Sequence, residues 1–364
     1  MAFFGVEKRK IESIKPHSNA DKLEVGVLEG ITFQFVVRKG EFVAGQEVVY
    51  FPIDSVLPQD LIAHLGVGSF MAGKEKNRFK TVRLRGEISQ GFVCTIESLN
   101  KLPSLELVTG GDYSAYTTLP YDDSEALTLA LGITKYEAPA VMSKGARLLP
   151  LFGTLYSYDI EGCDRHPEIV EMLMDKQVVI SEKIEGMNFG ASVNKDDREV
   201  VNQHNFVIET LPDSPEHTFW AVAREQHFLS SAKSIRDKYY PGKNVAIRGE
   251  FAGPGVQGNY YDLKAHTAFA FEIEADGQPI DVGHFLGLCA EYGVKTVPIL
   301  SKGKTLREWL NGKTVQEVSN GKSVLVDKLR EGIVIKPADE ERVDGFGRLF
   351  IKQRSADYLA NTEN

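Results

Sequence analysis

The stretch "SEKIEGMNFG", residues 181–190, decides how this chain is read. It follows the β-branched run "QVVI", which makes 177–183 a strand, and leads through Gly186 into "NFGASVN", the expected return strand. Lys183 stands at the strand end between Glu182 and Glu185. A lysine amine of ordinary pKa, about 10.4, is protonated at neutral pH and is no nucleophile. Held at a strand end and either desolvated or crowded by other cations, it loses that proton and attacks electrophiles.

Four later segments suit a nucleotide triphosphate. "IRGEFAGPGVQGNYY" (247–261) ends a strand at Glu250 and enters a Gly/Pro-rich loop, which presents a carboxylate at a pocket rim. "FAFEI" (269–273) places Phe269, Phe271 and Ile273 on one strand face by its period of two, with a ring available to stack on a base. "EGIVIK" (331–336) runs from Glu331 to Lys336, and "FIKQR" (350–354) sets Lys352 and Arg354 on one face to clamp phosphate oxygens. Singly, each has a plainer reading: a surface lysine, a packed aromatic face, a capping glutamate, an exposed strand. Their order carries the argument.

The bulk numbers set the frame. A chain of 364 residues, 42% hydrophobic and 26% charged, is an ordinary globular composition and long enough for two domains. Cys94, Cys163 and Cys289 form no CxxC pair, which argues against a disulfide framework or a structural zinc site. The opening "MAFFGVEKRKIE" reaches charge too soon for a signal peptide, and no apolar run spans a membrane, so a cytoplasmic protein is expected, cellular or virus-encoded. The histidines are scattered without metal or triad spacing, and "NGKS" (320–323) lacks the upstream glycine of a phosphate loop.

A net charge of -9 opposes chain-wide attraction to nucleic acid, but "KEKNRFKTVRLR" concentrates Lys74, Lys76, Arg78, Lys80, Arg83 and Arg85 around one acid, Glu75. It reads as a phosphate-contacting strip in which Phe79 is available for stacking. The first hundred residues hold five short strand candidates, "KLEVGVLEG", "ITFQFVVRKG", "QEVVYFPIDSVLP", "FKTVRLRG" and "GFVCTIESL", spaced as in a small barrel. From about 109 to 146 the composition turns Gly-, Pro-, Ser- and acid-rich and reads as a connector, with one short helix near 124–131. Beyond it, "DRHPEIVEMLMDK", "TFWAVAREQHFLSSAKSIRDKYY", "VGHFLGLCAEYG" and "TLREWLNG" read as helices among the strands, the second as one long amphipathic helix. The irregular alternation indicates an α+β domain on mainly antiparallel sheets.

Two resemblances add to this reading. "PHSNADKLEV" (16–25) and "RLRGEISQGFV" (83–93) resemble the oligonucleotide/oligosaccharide-binding (OB) barrel of tRNA-binding modules attached to some synthetases. From 180 to 355 the ordered motifs resemble the covalent nucleotidyltransferase superfamily of ATP-dependent polynucleotide ligases and capping enzymes. "EKIEGMNFG" and "GEFAGPGVQGNYY" are most similar to RNA ligases. The barrel ahead of the transferase domain, "LGITKYEAP", and ten residues after Arg354 resemble the Deinococcus-type RNA ligase family. The implied architecture is an OB-like barrel over 1–115, a connector over 116–146 and an adenylyltransferase domain over 147–364.

The resemblance implies that Lys183 accepts AMP from ATP, with Mg²⁺ or Mn²⁺ neutralising the phosphates. It places Glu182, Ile184, Gly186 and Asn188 in the nucleotide pocket, Glu250 on the ribose, Phe271 on adenine, Glu331 at the metal and Lys352 at the α-phosphate. Lys336 and Arg354 stand nearby, and Arg165 is a further phosphate contact. Expected partners are nicked RNA or RNA/DNA duplexes, bound by a monomer. Two rivals are a GTP-dependent capping-type enzyme and a non-catalytic RNA-binding protein. There are departures: Glu185 replaces the aspartate of DNA ligases, Arg354 replaces a second lysine, and Gln203, His204 and Asn205 stand where RNA ligases often carry an arginine.

Overall fold

The computed structural model describes residues 3–102, 119–137, 146–211 and 215–362. The chain divides into two compact units: Ala2–Pro139 with Cys163–Pro167 and Ala356–Asn364, and Ala140–Gly162 with Glu168–Ser355.

The first unit is built on an antiparallel sheet in the order Gln34–Arg38, Leu23–Leu28, Glu7–Pro16, Glu47–Phe51, Phe92–Cys94. The hairpin Thr81–Leu84/Glu87–Gln90 carries it round toward closure. There Gln34 Nε2 donates to Ile88 O at 2.7 Å and Val36 N to Ser89 Oγ at 3.1 Å. Ile11, Leu28, Phe35, Val48 and Tyr50 fill the barrel, while Val49 and Phe51 point the other way into a second cluster with Leu61, Phe79 and Leu131. The central strand, Glu7–Pro16, is the one sequence patterning does not single out. Its "EKRKIESIKP" buries only Ile11, and pairing with neighbours on both sides, not apolar alternation, makes it a strand. The strand expected through "GFVCTIESL" stops at Cys94, because Thr95 caps a helix over Ile96–Asn100 by accepting from Ser98 N.

The described part of the expected connector, 119–137, packs into this unit. Leu119, Leu127, Ala130, Leu131 and Ile133 join its apolar cluster, and Thr134–Lys135 pairs with Ser55–Val56. The expected boundary at 115 lies outside the described residues. The final helix, Ala356–Asn361, also belongs here rather than with the second unit.

The second unit holds two sheets. One runs Ala146–Pro150, Phe206–Thr210, Glu199–Asn202, Met187–Val193, Val245–Ala252, Thr267–Ala275, Gln278–Pro279; the other runs Ile299–Thr305, Gln177–Lys183, Gly332–Pro337, Ile351–Arg354. All of their ladders are antiparallel. "NFGASVN" is therefore no return strand: Gln177–Lys183 belongs to one sheet and Met187–Val193 to the other, with Ile184, Glu185 and Gly186 bridging them. Gly186 permits the crossing, since a Cβ there would sit 2.5 Å from Phe251 O.

The expected long helix is broken into Thr218–Glu225 and Phe228–Tyr239. Gln226 between them donates to His266 O and accepts from Ala268 N, and His227 turns left-handed at φ 64°. Both helices cover the larger sheet through Phe219, Phe228, Ala232 and Ile235.

Candidate active site

The sheet-to-sheet crossing opens a pocket of about 750 Å³, open space included, lying wholly within the second unit. Glu182, Lys183, Ile184, Asn188, Glu250, Phe271, Lys336 and Lys352 all line it. Strand register does the gathering. Lys183 pairs with Gly332, which puts Glu331 beside it; Asn188 pairs with Glu250; Val334 pairs with Lys352.

The Lys183 ammonium donates to both carboxylate oxygens of Glu331, at 2.7 Å each. Burial alone lowers the amine's pKa, but the charges of Glu331 and Glu250 outweigh it and the pKa stands raised. Of the two expected routes to a neutral amine, burial does act in that direction, but the neighbours are carboxylates rather than cations, and they hold the proton on. Burial pushes the Glu250 carboxyl from 4.5 up to about 8. Between those values the folded state keeps a proton that the unfolded chain has released, so stability falls as pH rises from 4.5 to 8. Glu250→Gln is expected to flatten that slope in thermal melts at pH 5 and pH 8; an unchanged slope would assign the effect elsewhere.

Two polar atoms in the pocket have no protein partner. Glu182 accepts from Val324 N through Oε2 at 2.8 Å, yet its buried Oε1 is unmatched, as is Asn188 Oδ1. Unsatisfied buried acceptors facing a cavity mark a place for ligand donors. For a divalent cation, the described residues contain no cluster of three or more ligating side chains. Glu331 and Glu185 both act electrostatically on one ammonium, however, and this pair of carboxylates suits a cation completed by substrate phosphates.

Other expected residues lie differently. Arg354 sits outside the lining, with Nε 3.7 Å from Glu331. Phe271 reaches the pocket through a bulge: Arg248 pairs with Glu272 and Gly249 with Ala270, leaving Phe271 as the extra residue. The bulge breaks the expected shared face, since Phe269 packs beside Phe271 whereas Ile273 joins the opposite core. Arg165 belongs to the barrel unit, where it pairs with Glu7 at 2.6 Å and lies over Phe3. It is not among the pocket residues.

In the basic strip, Phe79 is buried and stacked on Phe92, so it is not presented to a base. Lys80 donates to Thr362 O at 2.8 Å and Arg83 pairs with Asp357. Lys74, Lys76, Arg83 and Arg85 are exposed. Arg78 is buried, donating to Asp54 at 3.0 Å with its guanidinium 3.6 Å over Tyr136. Arg78→Ala is expected to destabilise this unit by about 3 kcal/mol, because it removes a buried guanidinium that pairs with Asp54 and packs over Tyr136. Chemical denaturation checks it.

Tyr158, Asp159 and His204 line the pocket without having been anticipated. Asp159 lies 3.6 Å from Lys352, and His204 shares a hydrogen bond with Ser157 Oγ at 3.0 Å. The one sequence signal for His204 was its place in the segment that lacks the arginine.

Two sheets therefore meet at a lysine, with carboxylates beside it and lysines on the facing strands. Residues 176–353 match the RNA ligase family, and residues 6–96 match an OB-fold domain family. The fold is similar to that of Naegleria gruberi RNA ligase. A lysine-to-alanine mutant of that enzyme with ATP and Mn superposes with a TM-score of 0.75 at 25% identity, over 98% of this chain and 99% of that chain. A second mutant, apo, and a third with AMP and Mn each give 0.75 at 24% identity, over 98% of both chains. No curated protein matches by sequence.

Proposed function

We propose that the chain is an ATP-dependent RNA ligase that carries AMP on Lys183 and uses it to join a 5′-phosphate end to a 3′-OH. The observation that supports this most is the gathering of Lys183, Glu331, Glu250, Phe271 and Lys352 about one pocket from five separate segments.

In the first step the Lys183 amine, having given up its proton, attacks the α-phosphorus of ATP. An N–P bond forms, the bond to the bridging oxygen breaks and pyrophosphate leaves. Lys352 is placed to meet the α-phosphate, Glu250 the ribose and Phe271 the base; Glu182 and Asn188 offer acceptors to its polar edges, with Ile184 and Gly186 shaping the wall. Glu331, with Glu250 nearby, would hold Mg²⁺ or Mn²⁺, which would supply charge neutralisation of the phosphates and a drive for Lys183 to release its proton, while Arg354 adds a cation beside Glu331. A 5′-phosphate oxygen of the polynucleotide then attacks the AMP phosphorus and frees the lysine. Finally the 3′-OH attacks that 5′-phosphate, and AMP departs.

The finer reading is a Deinococcus-type enzyme, acting as a cytoplasmic monomer on nicked duplexes with RNA on the 3′-OH side. Support comes from the OB-fold ahead of the ligase domain and from the exposed Lys74, Lys76, Arg83 and Arg85 on that unit. Among the described residues no helix is long and apolar enough to cross a membrane. The test is incubation with α-labelled ATP or GTP and a divalent metal, then a denaturing gel and sealing assays on nicks of each strand composition. Label from ATP alone is expected; label from GTP alone would mean a capping-type enzyme, and no label a binding protein.

A further inference from the structure

Glu272 is a carboxylate at 3% exposure, sunk behind the pocket wall. It accepts from Lys336 Nζ at 2.8 Å, from Arg348 at 3.0 and 2.6 Å, and from Tyr158 Oη at 3.2 Å. Arg348 is held in turn by Glu340 at 2.6 Å. The Lys336 ammonium makes one more bond, to the carbonyl of Phe271 at 3.0 Å. That carbonyl belongs to the bulged residue, whose ring packs at 4.9 Å from Tyr158 on the same wall. A bulge leaves one residue out of the ladder, so its direction depends on what else grips it.

We infer that Lys336 is a positioning residue for the nucleoside rather than a phosphate clamp: anchored by buried Glu272, it grips the Phe271 carbonyl and so sets the ring against which the base lies. Two features support it. The ammonium is committed to a carboxylate and a carbonyl within bonding distance. A phosphate recruiting it would leave Glu272 dependent on Arg348 and Tyr158 alone, which is costly for a buried charge. Lys352 also lines the pocket, 3.6 Å from the Asp159 carboxylate. Beside the nucleophile Lys183, the pocket's two further lysines divide the work in this reading: Lys352 serves the phosphates, Lys336 the architecture of the base site.

This rests on the nucleotide reading of the pocket, and the experiment separates the two. Wild type, Lys336→Met, Lys336→Arg and Glu272→Gln are compared for KM and kcat of lysine adenylation, and for inhibition of that reaction by adenosine, which has no phosphate. Melting curves confirm folding. A positioning role predicts that Lys336→Met and Glu272→Gln weaken ATP and adenosine in parallel, by about tenfold, the scale of a lost base–aromatic stack, with kcat at saturating ATP changed far less. Lys336→Arg, which keeps a donor, restores part of the loss. If adenosine inhibits the Lys336→Met protein as well as it does wild type while ATP binding or kcat collapses, Lys336 is a phosphate clamp and the inference fails. Absence of adenylation in wild type would overturn the nucleotide reading itself.

Discussion

Lys183→Ala is expected to retain no labelled AMP on a denaturing gel, with adenylation below about one part in 10⁴ of wild type, the scale seen when a nucleophile is deleted. The loss is chemical rather than structural. Glu331, left without the ammonium, still has the Arg354 guanidinium at 3.7 Å, so folding is expected to weaken by only about 1–3 kcal/mol. Lys183→Arg makes the sharper control, because it keeps a cation opposite Glu331 but offers a group that stays protonated. It too should be inactive. Both variants should seal a polynucleotide supplied already adenylated, since that step needs no lysine amine. Covalent label on either variant would move the nucleophile elsewhere.

Glu331→Gln should lower adenylation by about 10²–10³-fold, the usual effect of removing one preorganised electrostatic group. The sign makes this informative. Glu331 helps hold the Lys183 pKa above its ordinary value, so below that value the amine carries a proton. Removing the carboxylate lowers the pKa and exposes more neutral amine at pH 7. Were proton removal the only obstacle, the variant would be faster. A slower variant shows that the carboxylate also serves the metal and the phosphates. An amine-selective reagent reports the pKa separately, and Lys183 of Glu331→Gln should react at lower pH than in wild type. Adenylation that is unchanged or enhanced would reduce Glu331 to a mask on the lysine.

Much of the site was legible in the linear chain because strands with a period of two point alternate side chains predictably, and short motifs keep residues near their strand ends. Lys183, Glu250 and Lys352 were reachable that way, whereas Asn188 entered only through the family resemblance. Failures fell where one long-range contact decides the outcome. The expected common face of Phe269, Phe271 and Ile273 is broken by an extra residue opposite Arg248 and Gly249, although Phe271 itself reaches the pocket as expected. The break at His227 depends on Gln226 finding a neighbouring strand. Glu7–Pro16 is a strand because two partners claim it. In the basic strip the sequence shows six cations alike, and only packing separates buried Arg78 from exposed Lys74.

Composition, motif order and strand periodicity established an α+β chain with a barrel-like amino-terminal part and a lysine poised at a strand end, because those properties are local and survive without knowledge of partners. Tertiary structure alone decided which charges meet. It set Glu331 rather than a cation against Lys183, gave Lys336 to Glu272, and sent the strands on either side of Gly186 into different sheets. Electrostatic pairing depends on distances across sheets, and no spacing along a chain encodes those.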